Sequence, residues 1–518
     1  MLCSDSCWLL HQSMSSLMRS EHRPVTLLLV LLLSWSTNSV SAVGVNWGLA
    51  SSTPLPPSKV VNGLLLSNGV TRVKLPDADP SVLESLSGSG IGVIVGIRNE
   101  MLRYLSQSKK AAASWVHDNV TRYFSDNRAG GGVQIEYIAV GDEPFLLSYG
   151  QQYQPYVIGA ATNIHTALKA AKLSDRIKLI VPCSSDVYQT NSSLPSKAHF
   201  RPDLNKTMVD LLSFLSNHSS LFVLDMNPFS SFQQNKNLSL DFHLFQLTSR
   251  PLTDGHSKYD NYFDLSIDSV VSSLSKVGFG DMDIMVGSVG WPTDGASNAT
   301  SANAQLFMQG LIDHLKAKTG SPLRPKRPPP ETYLFTLLDE NQLNITTGNY
   351  ERHYGIFTFD GQAKYNVDLG QGSRPLKNVH EVDYLNQKWC VVNNNKDLYN
   401  ITASVVQACS NADCSSLSSG GSCGGIGWPG NVSYAFNSYF QANGQSQESC
   451  DFNGLGLITT VDPSVGECRF VIGLHTSGSN KVRSLMADMP KKVFYSFFQS
   501  LVVLQQVVSV FIFASFFV

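Results

Sequence analysis

Between Val43 and about Val367 the chain alternates short β-branched runs with longer stretches of helical spacing. Gly44-Val45-Asn46-Trp47-Gly48 predicts a strand and its end, and Val70 to Leu75 and Gly92 to Gly96 predict the next two. Ala111 to Phe124 has helical spacing, with Trp115, Val116, Val120, Tyr123 and Phe124 on one side. Ile135 to Val140 predicts another strand, and Tyr156 to Ala171 a helix. Lys178 to Pro182, Phe222 to Met226, Asp283 to Ser288 and Tyr333 to Leu338 continue the strand series. Roughly eight such units over about 320 residues predict an α/β chain of (β/α)8 barrel type. The alternative on pattern alone is an open doubly wound sheet, for which no glycine-rich dinucleotide fingerprint is present. In a barrel, chemistry gathers where the strands end. Here those ends are Asp142 and Glu143, Asp225 to Phe229, Ser288 to Pro292, and Asp339 to Asn341.

The pattern fades over 368–387, which reads as a linker that few contacts should cross. Residues 388–470 differ in kind. Six cysteines fall there, Cys390, Cys409, Cys414, Cys423, Cys450 and Cys468, whereas 43–389 holds Cys183 alone. This predicts a small domain with three disulfides of open connectivity after a large domain with one buried free thiol. The Ser, Gly and Pro content from Ser415 to Pro429 predicts loops pinned by those bridges.

Both ends are apolar. Arg19, His22 and Arg23 precede the run Val25 to Leu33, which is shorter than the roughly 20 residues that span a bilayer. Val40-Ser41-Ala42 offers a cleavage site, so 1–42 reads as a signal peptide, with 1–17 as a possible upstream extension before Met18. A short signal anchor is the alternative. Residues 471–518 place Ser477, Gly478, Ser479 and Asn480 before a polar spacer with Lys481, Arg483, Lys491 and Lys492, then an apolar run from Val493 to Val518. That order matches a signal for a GPI anchor, with an ordinary transmembrane helix as the alternative. Sequons at Asn119, Asn191, Asn205, Asn217, Asn237, Asn298, Asn344, Asn400 and Asn431 agree with a glycosylated secretory protein. The net charge of −2 gives no hint of nucleic acid. No P-loop, HExxH or CxxC pair is present, so no metal and no cofactor is expected. The chain is expected to be a monomer on the outer face of the plasma membrane and in the cell wall.

Several motifs follow one another in a specific order. Tyr137-Ile138-Ala139-Val140-Gly141-Asp142-Glu143 resembles the strand of family 17 glycoside hydrolases that ends in Asn-Glu or Asp-Glu. Val43 to Gly48, Val73-Lys74-Leu75, Val95 to Glu100 and Asp186-Val187-Tyr188-Gln189 are similar to further family segments. So are Gly290-Trp291-Pro292-Thr293-Asp294-Gly295, Leu338 to Asn341, and Glu351 to Phe357. The resemblance implies internal cleavage of β-1,3-glucan with retention, which needs two carboxyls about 5–5.5 Å apart. It makes Glu143 the proton donor, and it implies that Asp142, Asp225, Asn227, Phe229, Trp291 and Glu340 bind substrate.

The second carboxylate is missing. The family motif has Glu two residues before the Gly of Gly-Trp-Pro, and this chain has Ser288. A serine is neutral near pH 7 and cannot offset oxocarbenium charge. Asp283 lies an odd number of residues from Ser288 along the strand, so it faces away, and Asp294 lies past Trp291-Pro292 in a loop. A second departure lies in the cleft: where the family usually reads Asn-x-Tyr-Pro-Phe, this chain reads Asp225-Met226-Asn227-Pro228-Phe229.

Residues 388–470 resemble the X8 domain, carbohydrate-binding module family 43. The match rests on Trp389-Cys390-Val391-Val392, on the cysteine positions, and on Tyr434-Ala435-Phe436-Asn437-Ser438-Tyr439-Phe440-Gln441. The resemblance implies binding to β-1,3-glucan through exposed aromatics, with Tyr434, Phe436 and Tyr439 as candidates. Some of these must be core. Two functions stand side by side. One is an endo-acting β-1,3-glucan hydrolase, slow or inactive with Ser288. The other is a non-hydrolytic protein tethering wall glucan to the membrane.

Overall fold

The computed structural model describes residues 43–124, 131–190, 192–247, 251–399 and 401–475. The signal peptide, the anchor signal, Asn191 and Asn400 lie outside the described residues.

The strand runs form one parallel sheet. In chain order they are β1 (Val43–Asn46), β2 (Arg72–Leu75), β3 (Gly92–Ile97), β4 (Gln134–Val140), β5 (Lys178–Ile180), β6 (Pro182–Ser184), β7 (Phe222–Asp225), β8 (Ile284–Val289) and β9 (Thr332–Leu334). Their spatial order is β5-β4-β3-β2-β1-β9-β8-β7-β6. The two outer strands, β5 and β6, are halves of one extended run interrupted at Val181, so the sheet closes on itself as an eight-position barrel. Helices such as Val157–Ala170, Asn205–Asn217 and Ser301–Lys316 intervene between strands. The expected (β/α)8 architecture is the one observed.

Burial explains why these segments read as near-continuous apolar runs. Strands of a parallel sheet are covered on both faces, and β1 and β3 are buried at every position. Ile94, Ala139, Ile180, Val223, Met285 and Tyr333, from six different strands, pack into one cluster, as inward-facing layers of a barrel do. Tyr333 fits because Gly44 has no side chain; a Cβ there would fall 2.5 Å from its ring. Cys183 is buried and free, as expected.

Two elements differ from expectation. The helix at Ala111 to Phe124 runs as Lys109–Val116 and then opens into a wider turn, His117–Thr121. The last strand stops at Leu334 rather than Leu338, because the chain then turns across the barrel end. There Leu337 N–H donates to the Asn46 carbonyl at 2.8 Å.

The module has two antiparallel strands, β10 (Trp389–Val392) and β11 (Gly456–Thr459), and two helices, Ile401–Asn411 and Gly427–Ala442. Its disulfides are Cys390–Cys450, Cys409–Cys414 and Cys423–Cys468. It has its own core around Phe436, Phe440 and Phe452.

The linker expectation needs correction. Leu369, Leu376 and Val379 are buried in the barrel core. Asn68 exchanges two hydrogen bonds with the Lys377 backbone, at 3.0 and 2.7 Å. Contacts also cross directly from barrel to module. Arg352 Nη1 donates to Asp413 Oδ1 at 3.0 Å, His353 Nε2 lies 2.7 Å from Ser415 Oγ, and Ser416 Oγ donates to Asp294 Oδ2 at 2.8 Å. Apolar residues spaced without a period gave no sequence signal for this strap, and single polar residues gave none for the junction.

Candidate active site

The end of β4 is built to present an acid. Gly141 turns the chain at φ +85°, where glycine is favoured. Asn99 then clamps the next residue: its Nδ2 donates to the Asp142 carbonyl at 2.7 Å, and its Oδ1 accepts from Asp142 N at 2.9 Å. Glu143 follows at φ +46°, an uncommon conformation for a residue with a side chain. Strain of this kind collects at functional sites. Glu143 lines the cleft and is packed about by protein. Burial, then the charges of Asp225 and Asp142, push its carboxyl well above the usual carboxylate range, with Lys74 opposing. An upward shift of this kind is the direction that a general acid needs.

Facing it is an ion pair inside the barrel. Lys74 Nζ of β2 donates to Asp225 Oδ2 of β7 at 3.1 Å and to the Gly287 carbonyl of β8 at 3.3 Å. Both side chains are more than nine-tenths buried. Burial pushes Asp225 upward and Lys74 restrains it. Burial also disfavours the Lys74 charge, but Asp225, Asp142 and Glu143 together hold its pKa above normal. The two side chains thus hold each other in a buried pair. Ser288 is the strand partner of Asp225 and lines the same cleft.

The cleft encloses 1050 Å3 and is lined by Trp47, Lys74, Asp142, Glu143, Asp225, Asn227, Ser288, Glu340 and Tyr354, among others. A second cavity, 1130 Å3, lies at the junction with the module and contains none of the strand-end acids Glu143, Asp225 and Glu340. The chemistry assigns the active site to the first. Asp142 is exposed at its rim. Asn227 caps helix Pro228–Gln234 by accepting from Ser230 N at 2.9 Å, and it accepts from the Tyr354 hydroxyl at 3.0 Å. Glu340 is buried and accepts from Ala50 N at 2.9 Å. Gly48 makes room for its carboxyl, since a Cβ there would meet it at 1.9 Å. Burial is the main reason that Glu340 rises to about 7.

Two expectations fail. Phe229 and Trp291 do not face a sugar: both are fully buried, with rings edge to face at 5.0 Å, and Trp291 Nε1 donates to the Asn298 carbonyl at 3.0 Å. They follow the strand ends and fold under the loops into the core, where apolar rings gain most from burial. Asp283 and Asp294 do not replace the missing carboxylate, in agreement with their places in the sequence. Asp283 is exposed and pairs with Arg327, and Asp294 binds the module. Sequence reasoning gave no role to Lys74, Asn99 or Tyr354. The signal for Lys74 was present: a lone charge inside an apolar strand run.

A family model described as glycosyl hydrolases family 17 matches residues 43–369. The chain belongs to glycosyl hydrolase family 17. An X8 domain model matches residues 388–457. Two curated relatives from Arabidopsis thaliana match along most of their length. Glucan endo-1,3-beta-glucosidase 9 is 58% identical over 448 residues, covering 86% of this chain and 92% of its own. Glucan endo-1,3-beta-glucosidase 5 is 42% identical over 466 residues, covering 89% and 93%. Among solved structures, CJP38, a beta-1,3-glucanase and allergen of Cryptomeria japonica pollen, is 32% identical with a TM-score of 0.59. It covers 63% of this chain and 99% of its own.

In the X8 domain Phe436 is fully buried and stacks on Phe452 at 3.9 Å, so it is core and not a sugar platform. Tyr439 is half-buried against Phe452 at 5.6 Å, and Tyr434 lies edge-on to Phe470 at 5.3 Å beside the junction cavity. The aromatic rings that the domain leaves most open are Tyr399 and Trp428, 88% and 52% exposed. Sequence reasoning passed over both, because helical spacing shows which residues share a face but not which face is covered. Of the sequon asparagines, Asn205, Asn217, Asn237, Asn298, Asn344 and Asn431 are exposed, and Asn119 is half-buried.

Proposed function

We propose that this family 17 chain is an endo-acting hydrolase of β-1,3-glucan, held at the cell surface by a C-terminal lipid anchor and slowed by Ser288. The observation that carries the reading is Glu143: a carboxyl at the end of β4 whose pKa is pushed well up by burial, in a large cleft shared with a buried Lys74–Asp225 pair. The names of the relatives support the choice of glucan, and the apolar tail after Val493 supports the anchor. The protein acts by protonating the glycosidic oxygen from Glu143 while the cleft offsets charge on the sugar ring. The test is release of reducing ends from laminarin, compared with Glu143→Gln. Release by the wild type that Glu143→Gln abolishes supports the reading.

The second reading is a glucan-binding protein without turnover, favoured by Ser288 and by the open rings Tyr399 and Trp428. Tight binding of laminarin with no release of reducing ends establishes it instead.

A further inference from the structure

Two of the departures from the family pattern, Ser288 and Asp225, sit opposite each other. Asp225 ends β7 and Ser288 is its register partner on β8, with the ladder shifted between Val286 and Ser288. Met226 N–H donates to the Ser288 carbonyl at 2.7 Å, so the two strand ends are tied together. A carboxylate is missing on one strand and present on the strand beside it.

The two oxygens of Asp225 differ. Oδ2 is held by Lys74. Oδ1 is buried and has no hydrogen-bond partner among the described residues, and the whole residue is only 5% exposed. An orphaned carboxylate oxygen in such a place is costly unless something completes it. It leans over Gly287, where a Cβ would stand 2.4 Å away, so the neighbouring strand gives way to it. Asp225 lines the cleft together with Glu143. Ser288 also lines the cleft, but among the described residues no hydrogen bond links its hydroxyl to a base.

We propose that Asp225 is the second catalytic carboxylate of this cleft, acting through Oδ1 as the nucleophile that position 288 no longer supplies. This rests on the hydrolase reading above. In the first step Oδ1 forms a bond to the anomeric carbon while the glycosidic C–O bond breaks. The bonding electrons go to the leaving oxygen, which takes the proton of Glu143. In the second step Glu143, now a carboxylate, takes a proton from water. The water oxygen bonds to the anomeric carbon, the ester to Asp225 breaks, and Asp225 regains its charge beside Lys74. One water is consumed per link cleaved and the configuration is retained. Lys74 is a positioning residue: it holds Oδ2 at 3.1 Å and so fixes the Asp225 carboxyl in the wall of the cleft.

The test uses the full secreted chain and a 2-deoxy-2-fluoro-laminaribiosyl donor with an activated leaving group, which traps a covalent glycosyl-enzyme. Peptide mass spectrometry is expected to find the added sugar on Asp225. Asp225→Gly is expected to lose about 10⁴-fold or more in laminarin turnover. Azide is expected to rescue it, forming the α-configured glycosyl azide. A label on any other residue, or turnover of Asp225→Gly within tenfold of wild type, overturns the proposal while leaving the hydrolase reading intact. No label and no laminarin hydrolysis by the wild type overturns both. The label is read on the wild type, so the outcome does not depend on whether the variant folds.

Discussion

Asp294 of the barrel grips Ser422 of the C-terminal module with both oxygens: Oδ1 accepts from Ser422 N at 2.7 Å and Oδ2 from Ser422 Oγ at 2.6 Å. Ser416 adds a third bond, and Ser418 Oγ reaches the Gly295 carbonyl at 2.6 Å. Asp294 and His353 belong to two of the motifs that mark the family, and here both serve as docking points for the X8 domain.

Burial works against the Asp294 charge, but His353 and the serines outweigh it and leave its carboxyl below the usual range. A lowered folded pKa means that its stabilisation is present above the unfolded value, near 4, and is lost as pH falls through the folded one. Asp294→Ala strands the serine hydroxyls and an N–H at the junction. We expect about 1–3 kcal/mol of lost docking, seen as faster proteolysis within 368–387 at pH 7. Wild type should move toward the variant's behaviour as pH falls below the ordinary aspartate range. An unchanged cleavage pattern in the variant at pH 7 rejects this role.

Glu340 carries the opposite sign. Burial raises its folded pKa to about 7, above the ordinary glutamate value. Its contribution is present below the unfolded value and is lost as pH rises through about 7, by roughly 3 kcal/mol at most. Glu340→Gln keeps an acceptor for Ala50 N–H and removes the charge. Melting midpoints at pH 5 and pH 8 should diverge less in the variant than in wild type. Equal divergence in both proteins counts against the assignment.

We expect position 288 to limit the rate. A Glu at that position restores the longer carboxylate at the place the family motif expects it. Turnover on laminarin should rise at least tenfold in Ser288→Glu, with KM changed less than kcat, because the added charge acts mainly in the transition state. Rates within tenfold of each other would show that Ser288 is no handicap.

The open rings of the X8 domain should carry its hold on polysaccharide. In the full chain, Trp428→Ala is expected to weaken sedimentation with insoluble β-1,3-glucan by about 0.5–1.5 kcal/mol, the scale of a stacked ring. Phe436→Ala is expected to cost about 3–5 kcal/mol of module stability. Because stacking is not charge-driven, the wild-type interaction should persist at 1 M salt. Undiminished sedimentation of Trp428→Ala moves the sugar platform to another part of the domain.

The sequence by itself determined the barrel, the module and the place of Glu143. Buried strands repeat as apolar runs, six clustered cysteines mark a separate small core, and Asp142-Glu143 follows directly on a strand run. All of these are local in the chain, so spacing and composition carry them. Only the tertiary structure decided what stands beside what. Lys74 and Asp225 are 151 residues apart and meet at 3.1 Å across the barrel interior. Asp225 and Ser288 are 63 positions apart in the chain and become register partners. Phe229, Trp291 and Phe436 look like sugar platforms in the chain and turn out to be core, while Asp294 turns out to be a docking point. Neighbours across a parallel sheet, and the side of a loop that faces solvent, are fixed by register and closure. Those depend on every strand at once, so no short stretch of residues encodes them.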